Sequence, residues 1–242
     1  MNLIVSQTAE EMGAKAAKKA AEYLAKAIEK KGKARIVLST GASQFEVLSC
    51  LVKEPLNWSA VEMFHLDEYV GLPGTHPASF QHYLEERFTG IVHPKKAFYV
   101  DGMGDVQENL KALNEEIRRE PIDLALIGIG ENAHIAFNDP PADFDTQEPF
   151  IVVDMKNEEC RKQQVGEGWF QNIDEVPKKA ITMTVYQIMQ AKAIISCVGG
   201  KRKAQAVFNT VNSEVSPMVP ATKLKEHPDW TLYVDKESAA CL

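Results

Sequence analysis

The sequence contains few cysteines and no long run of apolar residues. Its four cysteines, Cys50, Cys160, Cys197 and Cys241, are scattered, and no two have the spacing of a CxxC or metal-binding motif. This usage predicts reduced thiols in a cytoplasmic protein. Since no apolar run is long enough to cross a bilayer and the first residues lack the layout of a signal peptide, we expect no membrane partner.

Basic residues are outnumbered by acidic ones, which gives the 242-residue chain a formal net charge of −7. A nucleic-acid partner is therefore not expected, because contacts with a phosphodiester backbone need a basic face. A small anionic ligand is compatible with this charge, since a local basic pocket is enough to hold it. The length predicts one domain, 1–242, with two small domains as the alternative.

Several catalytic motifs are also missing. The sequence has neither the GxGxxG of dinucleotide sites nor the GxxxxGK[ST] of triphosphate sites, and we expect no cofactor. A nucleophilic Ser-His-Asp triad would lack its usual GxSxG elbow. The six histidines are scattered, and a zinc site would need them to converge in space, so no metal is expected.

Short apolar stretches alternate with helical patterns along the chain. This alternation predicts an α/β fold with three layers, α/β/α, and a mostly parallel sheet. Thr8 is the expected N-cap of the first helix, and Gly32 its end. Residues 155–177 lack clean periodicity, which is typical of a functional lid or a disordered loop, and we expect a lid. Predicted strands cover 1–5, 35–38, 61–66, 97–100, 122–127, 150–153, 180–183, 193–198 and 230–234, and predicted helices cover 8–31, 44–52, 79–88, 106–120, 185–191 and 201–212.

Residues 122–141 are the segment around which the site is expected to form. Its apolar first half is typical of a strand buried on both faces, and Gly128 and Gly130 then allow the backbone to turn sharply. Ligands of open α/β sheets bind beyond the carboxyl ends of the strands, so the polar side chains that follow are catalytic candidates. His134 can act as an acid–base group, oriented by Asp139 or Glu131. The candidates are Glu131, Asn132, His134, Asn138 and Asp139.

A second candidate, Asp67, lies at the end of the strand predicted over 61–66. Because alternate residues of a strand share a face, Asp67 and Tyr69 are expected on one side and Glu68 on the other. A carboxylate at this end of a strand is well placed to remove a proton from a bound carbon acid. The alternative is a loop carboxylate that caps the next element or pairs with a lysine.

Two glycine-containing turns follow other predicted strands, and together they can form a two-sided phosphate site. The turn 39–43 offers hydroxyls and N–H groups at the start of a helix, although an ordinary turn with an N-cap explains it equally well. The turn 199–203 carries three basic residues that the helix dipole disfavours, which an anion would explain; a solvated turn is the alternative. Among the three, Lys203 is expected to point inward. The first turn consists of Ser39, Thr40, Gly41, Ala42 and Ser43.

Two longer segments resemble a known family. LDEYVGLPGTHPASF, 66–80, and GIGENAHIAFNDP, 128–140, are similar to the two signature segments of the glucosamine-6-phosphate deaminase/isomerase family, which is related to the 6-phosphogluconolactonases. The turns 39–43 and 199–204 and the segment 176–185 follow in the expected order. The resemblance implies a modified Rossmann-like sheet, a homo-oligomer, and conversion of an amino-sugar 6-phosphate to a keto-sugar phosphate with loss of ammonia, without metal or cofactor.

The resemblance also implies roles for single residues. Asp67 matches the base that carries a proton between C1 and C2 of the sugar. His134 matches the histidine that assists opening of the pyranose ring, and Asp139 stands where the family has a glutamate that works with it. Lys203 matches a lysine that binds phosphate, and the phosphate loop of the family matches Ser39, Gly41, Ala42 and Ser43.

The chain departs from the family pattern at four positions. Asn132 replaces an aspartate and cannot ionise, and its neighbour Glu131 is the candidate to substitute for it. Ala133 replaces a glycine, which restricts the backbone. Asp139 is one methylene shorter than the glutamate it replaces. An arginine that helps to hold phosphate has no counterpart, and Arg161 is the candidate to take its place.

The sequence favours a hydrolase-type deaminase/isomerase that acts on glucosamine 6-phosphate, but it leaves alternatives open. One is a 6-phosphogluconolactonase or a plain sugar-phosphate isomerase on the same scaffold, against which the deaminase-like continuation HIAFNDP speaks. Another is a non-catalytic sugar-phosphate sensor, which the loss of an ionisable group at Asn132 favours. The preferred epimer, gluco or galacto, and any allosteric effector are also left open.

Overall fold

The computed structural model describes residues 1–155 and 158–242 and contains ten strands in two sheets. Seven strands form the main sheet in the order β1-β10-β9-β6-β2-β3-β5, and every neighbouring pair in it is parallel. The strands are β1 Asn2–Ser6, β2 Ala34–Leu38, β3 Val61–His65, β4 Asp67–Tyr69, β5 Lys96–Phe98, β6 Leu124–Leu126, β7 Phe150–Asp154, β8 Lys179–Met183, β9 Ile194–Val198 and β10 Trp230–Asp235.

Helices cover both faces of the main sheet, which confirms the predicted three layers. The helices α1 to α4 pack on one face and α5, α7 and α8 on the other. Successive residues of β2 alternate between these layers, since Ile36 and Leu38 enter one core and Val37 enters the other. The helices are α1 Ala9–Lys31, α2 Phe45–Leu51, α3 Phe80–Leu84, α4 Gly90–Val92, α5 Val106–Arg118, α6 Glu158–Gly166, α7 Val185–Met189 and α8 Ala204–Asn212, with a π-helical turn, Glu85–Thr89, between α3 and α4.

The ends of α1 are those that the sequence predicts. Thr8 has extended backbone angles, and its side chain accepts a hydrogen bond from the N–H of Glu11 at 3.2 Å. Gly32 ends the helix with a φ of 74°, a left-handed conformation that glycine adopts without strain. The 23-residue helix packs against α2 and the main sheet and supplies much of one core. Among the helices described here, none combines the length and the apolar character needed to cross a bilayer.

The mostly parallel sheet that the sequence predicts is confirmed, and the chain also forms a second sheet, which is antiparallel. The strands β4, β8 and β7 form a small antiparallel sheet, so the predicted strands at 150–153 and 180–183 do not join the main one. Leu66 links the two sheets, because its N–H donates to the carbonyl of Leu38 in β2 and its own carbonyl accepts from the N–H of Met183 in β8. One residue after β3, the chain has therefore left the parallel sheet, and Asp67 pairs with Thr182 instead.

The predicted lid, 155–177, contains one helix, and its residues 156 and 157 lie outside those described. Helix α6 is followed by an irregular segment that includes the buried Phe170. Together with Cys160 and Val176, this ring joins a separate apolar cluster around Tyr69 and Phe80. The lid segment, as we call residues 158–177, is therefore packed on the second sheet and on α3.

Candidate active site

The predicted site residues converge on one cavity at the carboxyl ends of the strands. This cavity encloses about 540 Å³ and lies beyond β2, β3, β6 and β9, where parallel strands present their ends on the same edge of the sheet. Lid residues that sequence reasoning did not identify, Gln163, Gln164 and Glu167, also line it. The predicted residues that line it are Ser39, Thr40, Gly41, Ser43, Asp67, His134 and Lys203.

The two glycine turns form a cradle with unused hydrogen-bonding capacity. Ser39 is 4% exposed, and its hydroxyl has no hydrogen-bond partner among the described residues. Lys203 is 8% exposed, and no carboxylate of the described residues lies within ion-pair distance of its ammonium group. Burial lowers the pKa of Lys203, since the charged form loses solvation. A buried cation and a buried donor without partners are what an anion-binding site requires.

Gly41 shapes this cradle through its backbone conformation. Its φ of 99° lies in a region that other residues rarely adopt, and it turns the chain from β2 into a short 3₁₀ helix, Ala42–Gln44. Its carbonyl accepts a hydrogen bond from the hydroxyl of Tyr83 at 3.0 Å, which fixes the turn. Ala42 itself begins the 3₁₀ helix and is not one of the residues that line the cavity.

Asp67 is a buried carboxylate that faces the cavity. It is 7% exposed, and none of the residues described donates a hydrogen bond to its carboxylate. Burial, followed by the charge of Glu68, raises the pKa of Asp67 well above its ordinary value. An unpartnered carboxylate of raised pKa is suited to accept a proton from a bound ligand.

Glu68 has a structural role, and this separates it from its neighbour. Its side chain accepts hydrogen bonds from the hydroxyl of Ser79 at 2.6 Å and from the N–H groups of Gln81 and Tyr69. The carboxylate thereby anchors the start of α3, for which Ser79 is the N-cap. As expected for consecutive residues of a strand, Asp67 and Glu68 point in opposite directions.

His134 is held by an amide. The side-chain oxygen of Asn132 lies 2.7 Å from ring Nδ1 of His134 and accepts from its backbone N–H at 3.1 Å. Because a carbonyl oxygen can only accept, Nδ1 carries the proton and Nε2 is left as an acceptor. The ring packs on Gly130, where a Cβ atom would lie within 2.4 Å of three ring atoms, so this position admits only glycine.

Asp139 completes the cluster. The amide nitrogen of Asn132 donates to its Oδ1 at 3.0 Å, and ring Nδ1 of His134 is 3.3 Å from the same oxygen. Burial opposes its charge, but hydrogen bonds from His134, Asn132 and the thiol of Cys160 outweigh this effect and hold the pKa of Asp139 below its ordinary value. Sequence reasoning treated Cys160 as one of four scattered thiols, because its spacing carried no signal.

The donor atoms of His134, Asp139 and Cys160 lie within 4.8 Å of one another, which is close enough for three ligands of one metal ion. Burial, and then Asp139, raises the pKa of the Cys160 thiol above its ordinary value. A metal ligand has to be the thiolate, which this environment disfavours. The geometry therefore fits a hydrogen-bonded cluster, and the expected lack of a metal stays a prediction.

Two sequence predictions are not met by the positions of the side chains. Glu131 is exposed and lines an outer pocket, so it does not substitute for the missing aspartate at the imidazole ring, which Asn132 contacts itself. The guanidinium of Arg161 donates to the carbonyl of Ile173 at 2.5 Å and is not part of the cavity lining. It holds together the lid segment, since the same carbonyl also accepts from the N–H of Val176 at 3.3 Å in the turn that follows.

One face of α6 and the residue after it closes the cavity. Gln163, Gln164 and Glu167 line the cavity. Together with Cys160 they follow the spacing i, i+3, i+4 and i+7, which places side chains on one side of a helix. Gln163 accepts from the N–H of Glu131 at 3.2 Å, and Gln164 accepts from the hydroxyl of Tyr69 at 2.8 Å. The lid segment is thus bonded to the loop of His134 and to the strand of Asp67.

The sequence is similar to a characterised family over nearly its whole length. Residues 7–233 match the family described as glucosamine-6-phosphate isomerases/6-phosphogluconolactonase. The glucosamine-6-phosphate deaminase of Thermoanaerobacter pseudethanolicus is 34% identical over 250 residues, which cover 100% of this chain and 95% of that protein. The glucosamine-6-phosphate deaminase of Lactobacillus delbrueckii subsp. bulgaricus is 34% identical over 243 residues, 100% of each chain.

Solved structures show the same relationship. A glucosamine-6-phosphate deaminase described as monomeric matches with a TM-score of 0.91 and 31% identity over 100% of both chains. A 6-phosphogluconolactonase from Shewanella baltica matches with a TM-score of 0.79 over 97% of both chains, but at 18% identity it shares the fold alone. The resemblance carried by 66–80 and 128–140 is confirmed, and the chain belongs to the family of glucosamine-6-phosphate isomerases and 6-phosphogluconolactonases.

Proposed function

We propose that the chain converts glucosamine 6-phosphate and water into fructose 6-phosphate and ammonia. One observation carries this proposal: the unpartnered carboxylate of Asp67 shares a cavity with His134 and with the buried cation of Lys203. A base, a ring-opening group and an anion clamp are the three parts that the reaction needs. The full-length similarity to deaminases supports glucosamine 6-phosphate as the substrate.

His134 is suited to open the pyranose ring. Its Nε2 can take the proton of the anomeric hydroxyl and return it to the ring oxygen as the bond between C1 and that oxygen breaks, which leaves a C1 aldehyde. Asn132 holds Nδ1–H throughout, so the reactive nitrogen keeps its orientation. Asp139, 3.3 Å from Nδ1, can stabilise the imidazolium that forms during the transfer.

Asp67 is suited to the isomerisation that follows. Its carboxylate removes the proton from C2, and the electrons of that C–H bond form a double bond to C1. The C1=O π electrons move to O1, which takes up the proton that the ammonium group on C2 gives up, and the product is an enolamine. Return of a proton to C1 leaves an iminium at C2, to which water adds before ammonia departs and the C2 ketone forms. One carboxylate that reaches both carbons is sufficient, and the raised pKa of Asp67, which burial causes, makes this carboxylate a stronger base.

The phosphate supplies binding energy away from the reacting carbons. Lys203 and the hydroxyl of Ser39 are the unpartnered groups that would receive it, together with N–H groups of the turn 39–43. Holding this end fixed places C1 and C2 against Asp67, which lowers the entropic part of the barrier. Arg161 has no role in this proposal.

The relatives are named for deamination, and the broader term hydrolase is not supported by their names. A homo-oligomer and a cytoplasmic location remain predictions. Light scattering tests the first of them, and a mass equal to that of one chain would contradict it; one structural relative is described as monomeric.

The experiment that tests the proposal measures ammonium and the sugar product in one reaction. The full chain is incubated with glucosamine 6-phosphate, and we expect ammonium and fructose 6-phosphate to appear in equal amounts. Asp67→Asn is the matched variant, since it keeps the size of the side chain while removing the base. We expect it to lose turnover by about 10²-fold or more while its affinity for inorganic phosphate stays the same.

Further substrates distinguish the alternatives. If the chain turns over only galactosamine 6-phosphate, the preferred epimer is galacto and the proposed type of reaction stands. Hydrolysis of 6-phosphogluconolactone without ammonium release from either amino sugar would contradict the deaminase and favour a lactonase. Binding of all three without turnover would contradict it in favour of a sensor.

A further inference from the structure

The carboxylate of Glu167 lies over the anion cradle. One of its oxygens, Oε2, is 3.6 Å from the place where a Cβ atom of Gly41 would stand. Glu167 is also the charged group that acts most strongly on the buried ammonium of Lys203. A negatively charged side chain of the lid segment therefore approaches the position that the phosphate of the substrate would take.

The contacts of Glu167 belong to the lid segment. Its Oε1 accepts from the side chain of Gln163 at 2.8 Å, and its Oε2 accepts from the indole N–H of Trp169 at 3.1 Å. Neither partner is part of the sheet or of the turns 39–43 and 199–203. The rest of the fold does not require this carboxylate, so its position over the cradle calls for an explanation by ligand binding.

A phosphate and this carboxylate cannot share the cradle at low cost. A sugar phosphate carries close to two negative charges near neutral pH, and the glutamate carries one. The cradle offers a single buried cation, Lys203, and like charges at contact distance in a partly buried site repel strongly. The phosphate has the higher charge and more acceptor oxygens, so it should bind in the cradle, and the carboxylate of Glu167 should move out.

We propose that Glu167 occupies the phosphate cradle until a phosphorylated ligand displaces it, so that binding of the phosphate is coupled to rearrangement of the lid segment. This inference rests on the proposed function, because it assumes that the cradle receives the phosphate of the substrate. Ligands without a phosphate lack the charge to displace Glu167, so they should leave it in the cradle and the lid segment in place. Displacement also frees Gln163 and Trp169, and the lid segment rearranges as the substrate enters.

The test is a calorimetric titration of the full chain with inorganic phosphate. Glu167→Gln removes the charge but keeps the shape and one acceptor for Gln163 or Trp169. We expect this variant to bind phosphate about tenfold more tightly than the wild type, because a competing charge has left the cradle. Its KM for glucosamine 6-phosphate should fall by a similar factor, whereas its affinity for glucosamine itself should not change.

Glu158→Gln is the matched control. It makes the same change in the lid segment, but Glu158 is exposed and pairs with Lys162 at 3.1 Å, away from the cradle. We expect its phosphate affinity to stay within about twofold of the wild type. Equal affinities of the wild type and Glu167→Gln, weaker binding by Glu167→Gln, or no phosphate binding by either protein would overturn the inference.

The fluorescence of Trp169 gives an independent readout. Since its indole donates to Glu167, phosphate should change the emission of the wild type, and Trp169→Phe should abolish that change. No change in the wild type at saturating phosphate would overturn the displacement.

Failure of this inference can be told apart from failure of the proposed function. If the wild type releases ammonium and Glu167→Gln leaves phosphate affinity unchanged, the inference is wrong and the deaminase stands. If Glu167→Gln binds phosphate more tightly but neither protein turns over an amino-sugar phosphate, the inference stands and the proposed reaction is wrong.

Discussion

The side-chain oxygen of Asn132 lies 2.7 Å from Nδ1 of His134, so a neutral amide holds the ring where a carboxylate is expected from the family pattern. The same amide donates to Asp139 through its nitrogen. This arrangement fixes the tautomer of His134 by hydrogen-bond chemistry alone. The cluster therefore contains one negative charge, on Asp139, in place of two.

Replacing Asn132 by aspartate should move the pH dependence of turnover. Asn132→Asp places a carboxylate against the ring, which favours the imidazolium, and it removes the donor to Asp139. We expect the pH optimum of kcat to shift upward by about one unit. A pH profile of ammonium release between pH 5 and about 10 measures this shift.

Asn132→Ala is the control for that experiment. It removes the acceptor without adding charge, so kcat should fall by about 10²-fold at most, with no upward shift of the optimum. If Asn132→Asp and the wild type have the same pH optimum, the amide of Asn132 does not govern the protonation of the His134 ring during turnover.

The buried carboxylate of Asp67 should lower the stability of the fold. Burial raises the pKa of Asp67 in the folded state, whereas in the unfolded chain this pKa has its ordinary value. The unfolded chain therefore gives up this proton at a lower pH. The free energy of unfolding falls as the pH rises from the unfolded-state pKa through the folded-state pKa. Asp67→Asn does not titrate. We expect it to exceed the wild type in free energy of unfolding by about 1–2 kcal/mol above that window and to match it below. Urea unfolding from pH 4 to about 8 measures the difference.

Asp145→Asn provides the comparison. Asp145 is exposed, and its substitution should change the free energy of unfolding by less than about 0.5 kcal/mol at every pH. A gain for Asp67→Asn that does not depend on pH would show that ionisation of Asp67 is not the cause.

The strands of the main sheet could be predicted because each is a short apolar run between helical patterns. β2, for example, is buried at all five positions, and its sequence shows this directly. β4 could not be predicted in the same way. It consists of Asp67, Glu68 and Tyr69, and its partner β8 lies more than a hundred residues further along, so only the folded chain reveals the pairing.

The site could be predicted where reactive or charged side chains directly follow a predicted strand, as at Ser39, Asp67, His134 and Lys203. It was not predictable on α6, because Gln163 and Gln164 turn polar groups toward a polar cavity and the thiol of Cys160 bonds to Asp139. Such a helix has no apolar stripe to mark the face that is covered. Arg161 shows the complementary error, since its charge suggested a ligand site and the fold uses it to bind a backbone carbonyl.

Lys203 should contribute more to phosphate binding than its neighbours. Lys203→Met keeps the aliphatic volume and removes a buried cation without an ion pair. We expect binding of inorganic phosphate and of glucosamine 6-phosphate to weaken by about 100-fold, because the site loses its one buried positive charge. Lys201→Met removes an exposed charge from the same turn and should change binding by about twofold or less. Equal losses in both variants would show that the effect is long-range and that Lys203 does not contact the anion.

Ala133, which replaces a glycine of the family pattern, should strain the backbone. It is buried with a φ of 66°, and a left-handed conformation costs an L-residue about 1–2 kcal/mol. Ala133→Gly relieves this strain but loses a buried methyl group and gains entropy in the unfolded chain, so these effects should nearly cancel. We expect a change of less than about 0.5 kcal/mol in the free energy of unfolding, measured with urea.

Ala20→Gly is the matched control, because Ala20 is equally buried in the middle of α1. There the glycine relieves no strain, while it loses the same methyl group and the helix preference of alanine, so stability should fall by about 2 kcal/mol. If Ala133→Gly destabilises the chain as much as Ala20→Gly does, the left-handed conformation carries no cost at this position. The loop would then accept alanine as readily as glycine, and the departure from the family pattern would have no energetic consequence for the placement of His134.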